Sequence, residues 1–285
     1  MTGRPQNGEA PAVPDVRVLA DGLAFPEGPV FDRRDRLWFV EIQGGNLCRL
    51  DRDGLFRLST GGAPNGLAVD GRDRIWICDA GRNEILRFGE DEASFHPVCG
   101  EADGQPLDKP NDLAFDAMGN LVFTCPGDSR QEPSGYVCVR LPDGTVRRIA
   151  EGLYFPNGLA FSADGSRLSV AETYRQRIWQ GAWNAESATW ENPGIWAEGP
   201  DGDPGPDGMA FAADGTLWVA VFGSGKVMGF DADGAVIDQV AASGRRPTNC
   251  AFHPKGGLVV TEADRGRLVA LSYPASGIPL PRIGH

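Results

Sequence analysis

Laid against itself, the chain aligns at six places, and this self-similarity limits its fold more than any other feature. The segments begin at Glu27 ("EGPVFDRRDRLWFVE"), Asn65 ("NGLAVDGRDRIWICD"), Asn111 ("NDLAFDAMGNLVFTC"), Asn157 ("NGLAFSADGSRLSVAE"), Asp207 ("DGMAFAADGTLWVAV") and Thr248 ("TNCAFHPKGGLVVT"), spaced 38 to 50 residues apart. Each reads as a short apolar run, a turn rich in Asp, Gly or Asn, and a second apolar run. Further strand-like runs fill each interval, such as "KVMGFD" and "AVIDQV" after Asp207. Four strands per period of ~40–50 residues is the pattern of propeller blades. The repeat predicts an all-β, six-bladed β-propeller with four-stranded blades, a single domain over residues 15–273. "VRVLADG" at 16–22 is expected to add an outer strand to the last blade, because an unclosed ring leaves an exposed sheet edge. Residues 1–14 read as a flexible lead-in and 274–285 as a Pro-rich tail.

The 39 glycines, 22 prolines and 41% hydrophobic content suit a turn-rich β protein with a real core. A formal net charge of -12 with no basic stripe excludes a nucleic-acid-binding surface and is compatible with a divalent cation or a neutral small molecule. No apolar run reaches the ~20 residues of a membrane span, and the N-terminus lacks the apolar core of a secretory signal. A soluble, cytoplasmic protein is expected. The six cysteines form no CxxC pair, which favours buried, reduced thiols over a zinc or disulfide framework.

The first aligned column holds Glu27, Asn65, Asn111, Asn157, Asp207 and Thr248. All six carry a side-chain oxygen. The first strand of each propeller blade lines the central channel, so these oxygens should ring a funnel. Asn and Asp beside Gly are also common turn formers, yet Glu27 and Thr248 are unusual in such turns and keep the register. Hard oxygen donors without His or Cys suit calcium, magnesium or manganese. Glu27 and Asp207 would neutralise a divalent ion, and burying both without one would be costly. A second acidic column, around Asp32, Asp70 and Asp116, falls in the turns and reads as structural.

"FPEGPVFD", "KPNDLAFD", "FPNGLAFSADG" and "GPDGMAFAADGTLWVA" together resemble the blade motifs of the senescence-marker-protein (regucalcin), gluconolactonase and luciferin-regenerating-enzyme family. The resemblance covers nearly the whole chain. It implies a six-bladed propeller with one divalent metal on its axis and, in many members, hydrolysis of sugar lactones. Carried over by motif, it implies Glu27, Asn157 and Asp207 as metal ligands and Asp207 also as general base. Asn111 stands where a substrate contact or longer-range fourth ligand is found, and Lys109 where a basic residue contacts substrate. Asn65 and Thr248 are implied as channel-lining substrate contacts. Two positions depart from the pattern: Cys125 replaces an Asp found in many relatives, and nothing near Ser129 matches an acidic substrate-binding residue of the animal branch.

The reaction expected is ring opening of a sugar-type (aldono)lactone. Calcium is the first choice of metal, with magnesium, manganese, zinc and iron left open. The alternatives are a phosphotriesterase or other esterase at the same site, or a propeller that only binds a metabolite, calcium or a protein. A Ser-His-Asp hydrolase fits poorly: the three histidines, His96, His253 and His285, stand apart from the oxygen column, and no GxSxG motif occurs.

Overall fold

The computed structural model describes residues 16–91, 93–199, 202–273 and 275–279. The expected lead-in at 1–14 lies outside the described residues, as does most of the expected tail. Six four-stranded antiparallel sheets follow one another along the chain and form the blades. Their innermost strands are Pro26–Phe31, Pro64–Val69, Leu113–Phe115, Pro156–Phe161, Gly205–Phe211 and Pro247–Phe252. The sixth sheet contains both ends of the propeller, because Val16–Ala20 pairs antiparallel with Arg267–Leu271. The ring therefore closes with the strand expected from "VRVLADG", and the edge of the last blade is covered. Among the described residues, helix is limited to one 3-10 turn, Thr173–Arg175.

The second strands, such as Leu37–Glu41 and Ile75–Asp79, are buried throughout their length. They read as continuous apolar runs because each sheet packs a neighbour on both faces. The core lies in the interfaces between blades. Trp38, Val40 and Leu47 of blade one meet Leu67, Ile75 and Ile77 of blade two. Ala160, Ala171 and Ile178 of blade four meet Met209, Phe211 and Leu217 of blade five. The acidic turn column is structural. Asp32 accepts Trp38 Nε1 at 2.9 Å and the backbone of Arg36 at 3.0 Å, and Asp70 treats Trp76 and Arg74 in the same way. All six cysteines are free thiols, and only Cys99 is less than buried.

Residues 275–279 pack against the propeller. Ala213 N–H donates to Ser276 O at 2.9 Å and Gly277 N–H to His253 O at 3.1 Å, while Ile278 joins the apolar cluster of blades four and five. Gly277, Ile278 and Pro279 border a cavity of about 400 Å³ at the end of the channel where the innermost strands finish. Among the described residues no helix is long and apolar enough to cross a membrane.

Candidate active site

The strand register breaks at the oxygen column. Pairing skips between Glu27 and Val30, Pro64 and Leu67, Pro156 and Leu159, Pro206 and Met209, and Pro247 and Asn249. A bulge re-aims the side chain inside it. Here it brings Glu27, Asn65, Asn157 and Asp207 into the lining of one pocket of about 350 Å³, which Asn111 also lines, at the end of the channel where the innermost strands begin. Blade three reaches the same place differently: its inner strand starts late, and the backbones of Asn111 and Asp112 are pinned to Thr124 at 2.9 and 3.0 Å.

A buried acid at the end of the second strand holds four of these corners. Glu41 accepts Ala24 N–H at 3.2 Å, Asp79 accepts Ala63 N–H at 2.9 Å, Glu172 accepts Tyr154 N–H at 2.6 Å and Glu262 accepts Arg246 N–H at 2.9 Å. Blade three has Cys125 at that position, and the Tyr136 hydroxyl accepts Asp108 N–H at 2.9 Å in its place. The corners are also stapled between blades: the Oγ1 atoms of Thr124, Thr173 and Thr248 donate to the carbonyls of Asn157, Pro206 and Pro26, each at 2.8 Å.

The residue after the column is glycine in four blades and Asp112 or Asn249 in the other two. A Cβ on Gly28, which has φ +59°, would lie 2.8 Å from Asn65 O, and one on Gly66 2.6 Å from Asp112 Cα. The glycines make the axis wide enough for these two longer side chains. Asn249 Nδ2 donates to Glu27 Oε2 at 3.0 Å and its Oδ1 accepts Cys250 N–H at 2.8 Å. Asp112 Oδ1 accepts Leu113 N–H at 2.9 Å. Both residues line the far cavity and form a polar partition behind the pocket floor.

Glu27, Asp112 and Asp207 are 5%, 7% and 9% exposed, and among the described residues no salt bridge reaches any of them. Burial pushes Glu27 well above the usual carboxylate range, with the charges of Asp207 and Asp112 adding to it. Burial and Asp112 push Asp207 up in the same way, against a hydrogen bond from Asn157. Burial raises Asp112 to about 7. Asn157 Nδ2 donates to Thr173 Oγ1 at 3.1 Å, so its amide nitrogen is engaged and its carbonyl oxygen is the end able to serve a ligand.

Two expected substrate contacts stand elsewhere. Thr248 is fully buried, its hydroxyl on Pro26 O, and it does not line the pocket. Lys109 also lies outside the lining, and its Nζ pairs with Asp128 Oδ2 at 2.7 Å. Conversely, Asp112 and Asn249 belong to the site but lie outside the oxygen column, and the interrupted glycine column is the sequence signal that marks them. The pocket walls also lie outside the column: Phe25, Ile42, Phe155, Tyr174, Pro204 and Phe222.

A hard divalent cation fits this donor set. It would meet carboxylates that lack a counter-charge and carboxamide oxygens, with no thiol or imidazole in the lining. Among the described residues no group of three or more His, Cys, Asp and Glu side chains is arranged to hold a metal, so asparagine oxygens would have to complete the shell. Fold and site thus define a six-bladed propeller with an oxygen-donor funnel on its axis.

The profile of the SMP-30/Gluconolactonase/LRE-like region matches residues 25–264, and the chain belongs to that family. It is 28% identical over 308 residues to the diisopropyl-fluorophosphatase of Loligo vulgaris, covering 94% of this chain and 96% of that one. It is 29% identical over 246 residues to the lactonase drp35 of Staphylococcus haemolyticus, covering 82% and 74% respectively. The structure of XC5397, a gluconolactonase from Xanthomonas campestris, superposes with a TM-score of 0.81 at 29% identity, over 92% of this chain and 90% of that one.

Proposed function

We propose that this protein is a metal-dependent hydrolase that opens the ring of a lactone. The observation that carries the reading is the floor of the pocket, where buried carboxylates without basic partners stand beside asparagine amides. Related proteins named lactonase and gluconolactonase support the reaction class. Glu27, Asn157 and Asp207 would hold the cation, with Asn111 as a more distant fourth donor. When bound, a divalent cation supplies Lewis-acid polarisation of the lactone carbonyl and the positive charge that keeps Glu27 and Asp207 ionised.

Asp207 takes a proton from the attacking water at a carboxylate oxygen. The water oxygen bonds to the carbonyl carbon, the ring C–O bond breaks, and the proton passes to the departing alkoxide, giving a hydroxy acid. Asn111 orients the carbonyl and donates from its amide to the developing oxyanion. The site needs no step from Lys109 or Thr248. Calcium suits the all-oxygen set best. The sugar-type substituents implied by the family resemblance would meet the walls of the pocket, whereas ring opening takes place at its floor.

The test is pH-stat turnover of a lactone panel by purified protein, stripped with chelator and then resupplied with calcium. Turnover should vanish on stripping and return on resupply. Asp207→Asn should fold and bind calcium yet turn over nothing. Undiminished turnover in the stripped protein, or in a folded Asp207→Asn variant, refutes the mechanism. A second reading, hydrolysis of an organophosphate ester at the same floor, is favoured by the near full-length likeness to the Loligo phosphatase.

A further inference from the structure

We infer that the pocket selects an apolar lactone, carrying an aryl or alkyl substituent, over a polyhydroxylated aldonolactone. The inference rests on the lactonase reading and narrows its substrate class. Above the floor, the wall is made of Phe25, Ile42, Phe155, Tyr174, Pro204 and Phe222. Phe25 and Phe222 stack with centroids 6.5 Å apart, and Phe155 meets Tyr174 edge-on at 5.3 Å. Phe25 and Phe155 belong to blades one and four, half a ring apart, so aromatic surface faces the substrate from two sides.

These rings are placed at a conformational cost. Phe25 and Phe155 have φ of +61° and +60°, a region that bulky residues rarely occupy. The surroundings hold both. Ile42 N–H donates to Phe25 O at 3.0 Å and Thr173 N–H to Phe155 O at 3.2 Å. Phe155 N–H is fixed by Ser129 Oγ at 2.9 Å. Ser129 therefore positions a ring. The Arg130 guanidinium packs against the Phe155 and Tyr174 rings at 5.6 and 5.7 Å and does not line the pocket.

Polar side chains are scarce above the floor. They are Gln43, the hydroxyl tip of Tyr174 and Thr173, and the Thr173 hydroxyl is already shared between Pro206 O and Asn157. An aldonolactone carries a hydroxyl on most ring carbons. Its several hydroxyls would leave water for a wall with only two uncommitted polar side chains, Gln43 and Tyr174, and polar groups buried without partners are costly. An alkyl or phenyl group in the same place is desolvated favourably.

The experiment compares D-glucono-1,5-lactone with phenyl- and pentyl-substituted δ-valerolactone on the calcium-supplied protein. The expected preference in kcat/KM for the apolar lactones is about 100-fold. Phe155→Asn keeps a residue that tolerates positive φ and places an amide on the wall. It should narrow that preference about tenfold through KM for the apolar substrates. A higher kcat/KM for the gluconolactone overturns the inference and leaves the lactonase reading intact. If no lactone is hydrolysed, the lactonase reading falls, and calorimetry with the corresponding lactams decides the inference. Tighter binding of the phenyl lactam upholds it, and equal or tighter binding of the sugar lactam overturns it.

Discussion

Removing divalent cations should make the stability of this protein fall as pH rises, and Asp112 allows the size of the effect to be worked out. Its carboxyl is raised from 3.8 to about 7 in the folded chain by burial. Between those two values the folded state keeps a proton that the unfolded state has released. Stability therefore declines as pH climbs through this window and levels off above about 7. At ~1.36 kcal/mol per pH unit, Asp112 alone removes about 2.5 kcal/mol between pH 5 and 8. For a chain of 285 residues that is a fall of roughly 4 °C in melting temperature. Glu27 and Asp207 are shifted in the same direction and steepen the decline. Thermal melts in chelator from pH 5 to 8 measure the slope. Saturating calcium should flatten it, and Asp112→Asn in chelator should remove the Asp112 share by replacing the acid with a neutral amide of the same shape. A chelated wild type that melts no lower at pH 8 than at pH 5 refutes the reasoning, as does an Asp112→Asn variant with an unchanged slope.

Tyr136→Phe removes the acceptor of Asp108 N–H and should cost about 1–2 kcal/mol in denaturant melts, with a fall in turnover because the corner carrying Asn111 loosens. Thr248→Val cuts the staple to Pro26 O and should destabilise by about 1–2 kcal/mol, while leaving calcium affinity within about twofold if Thr248 stays outside the pocket. Gly208→Ala puts a Cβ into the amide of Asn249 and should cost about 3 kcal/mol or more, read from denaturant melts or from loss of soluble protein.

The sequence carried the architecture because the repeat is a repeat of physics. Each blade needs an inner strand, a tight turn and a second strand buried on both faces, so residues such as Trp38 and Trp76 return at the same place. The oxygen column was legible for the same reason, since an axis imposes equivalent positions. What escaped notice broke the repeat. Asp112 and Asn249 replace a glycine in two blades, and their importance is visible only when blades are placed around a common axis. Tyr136 takes over a role that an acid plays in four other blades, and no local pattern announces it. Phe25 and Phe155 stand in the repeated FPEG and FPNG motifs, but a phenylalanine before proline is ordinarily extended, and nothing local signals a left-handed backbone that turns the ring into the pocket.

The bond between Asn249 and Glu27 spans 222 positions, and it lies next to the seam where the ring closes. While blade five is being synthesised, Glu27, Asn111 and Asn157 already exist, but the walls that would enclose them do not. The donor set is complete only once Asp207 has been added, and it is held from behind only when blade six docks on blade one. On the proposed function, the cation would be captured at the end of folding and would not act as its nucleus. Calcium should slow the unfolding of the finished propeller far more than it speeds folding, because its contacts are absent from any state in which the ring is still open.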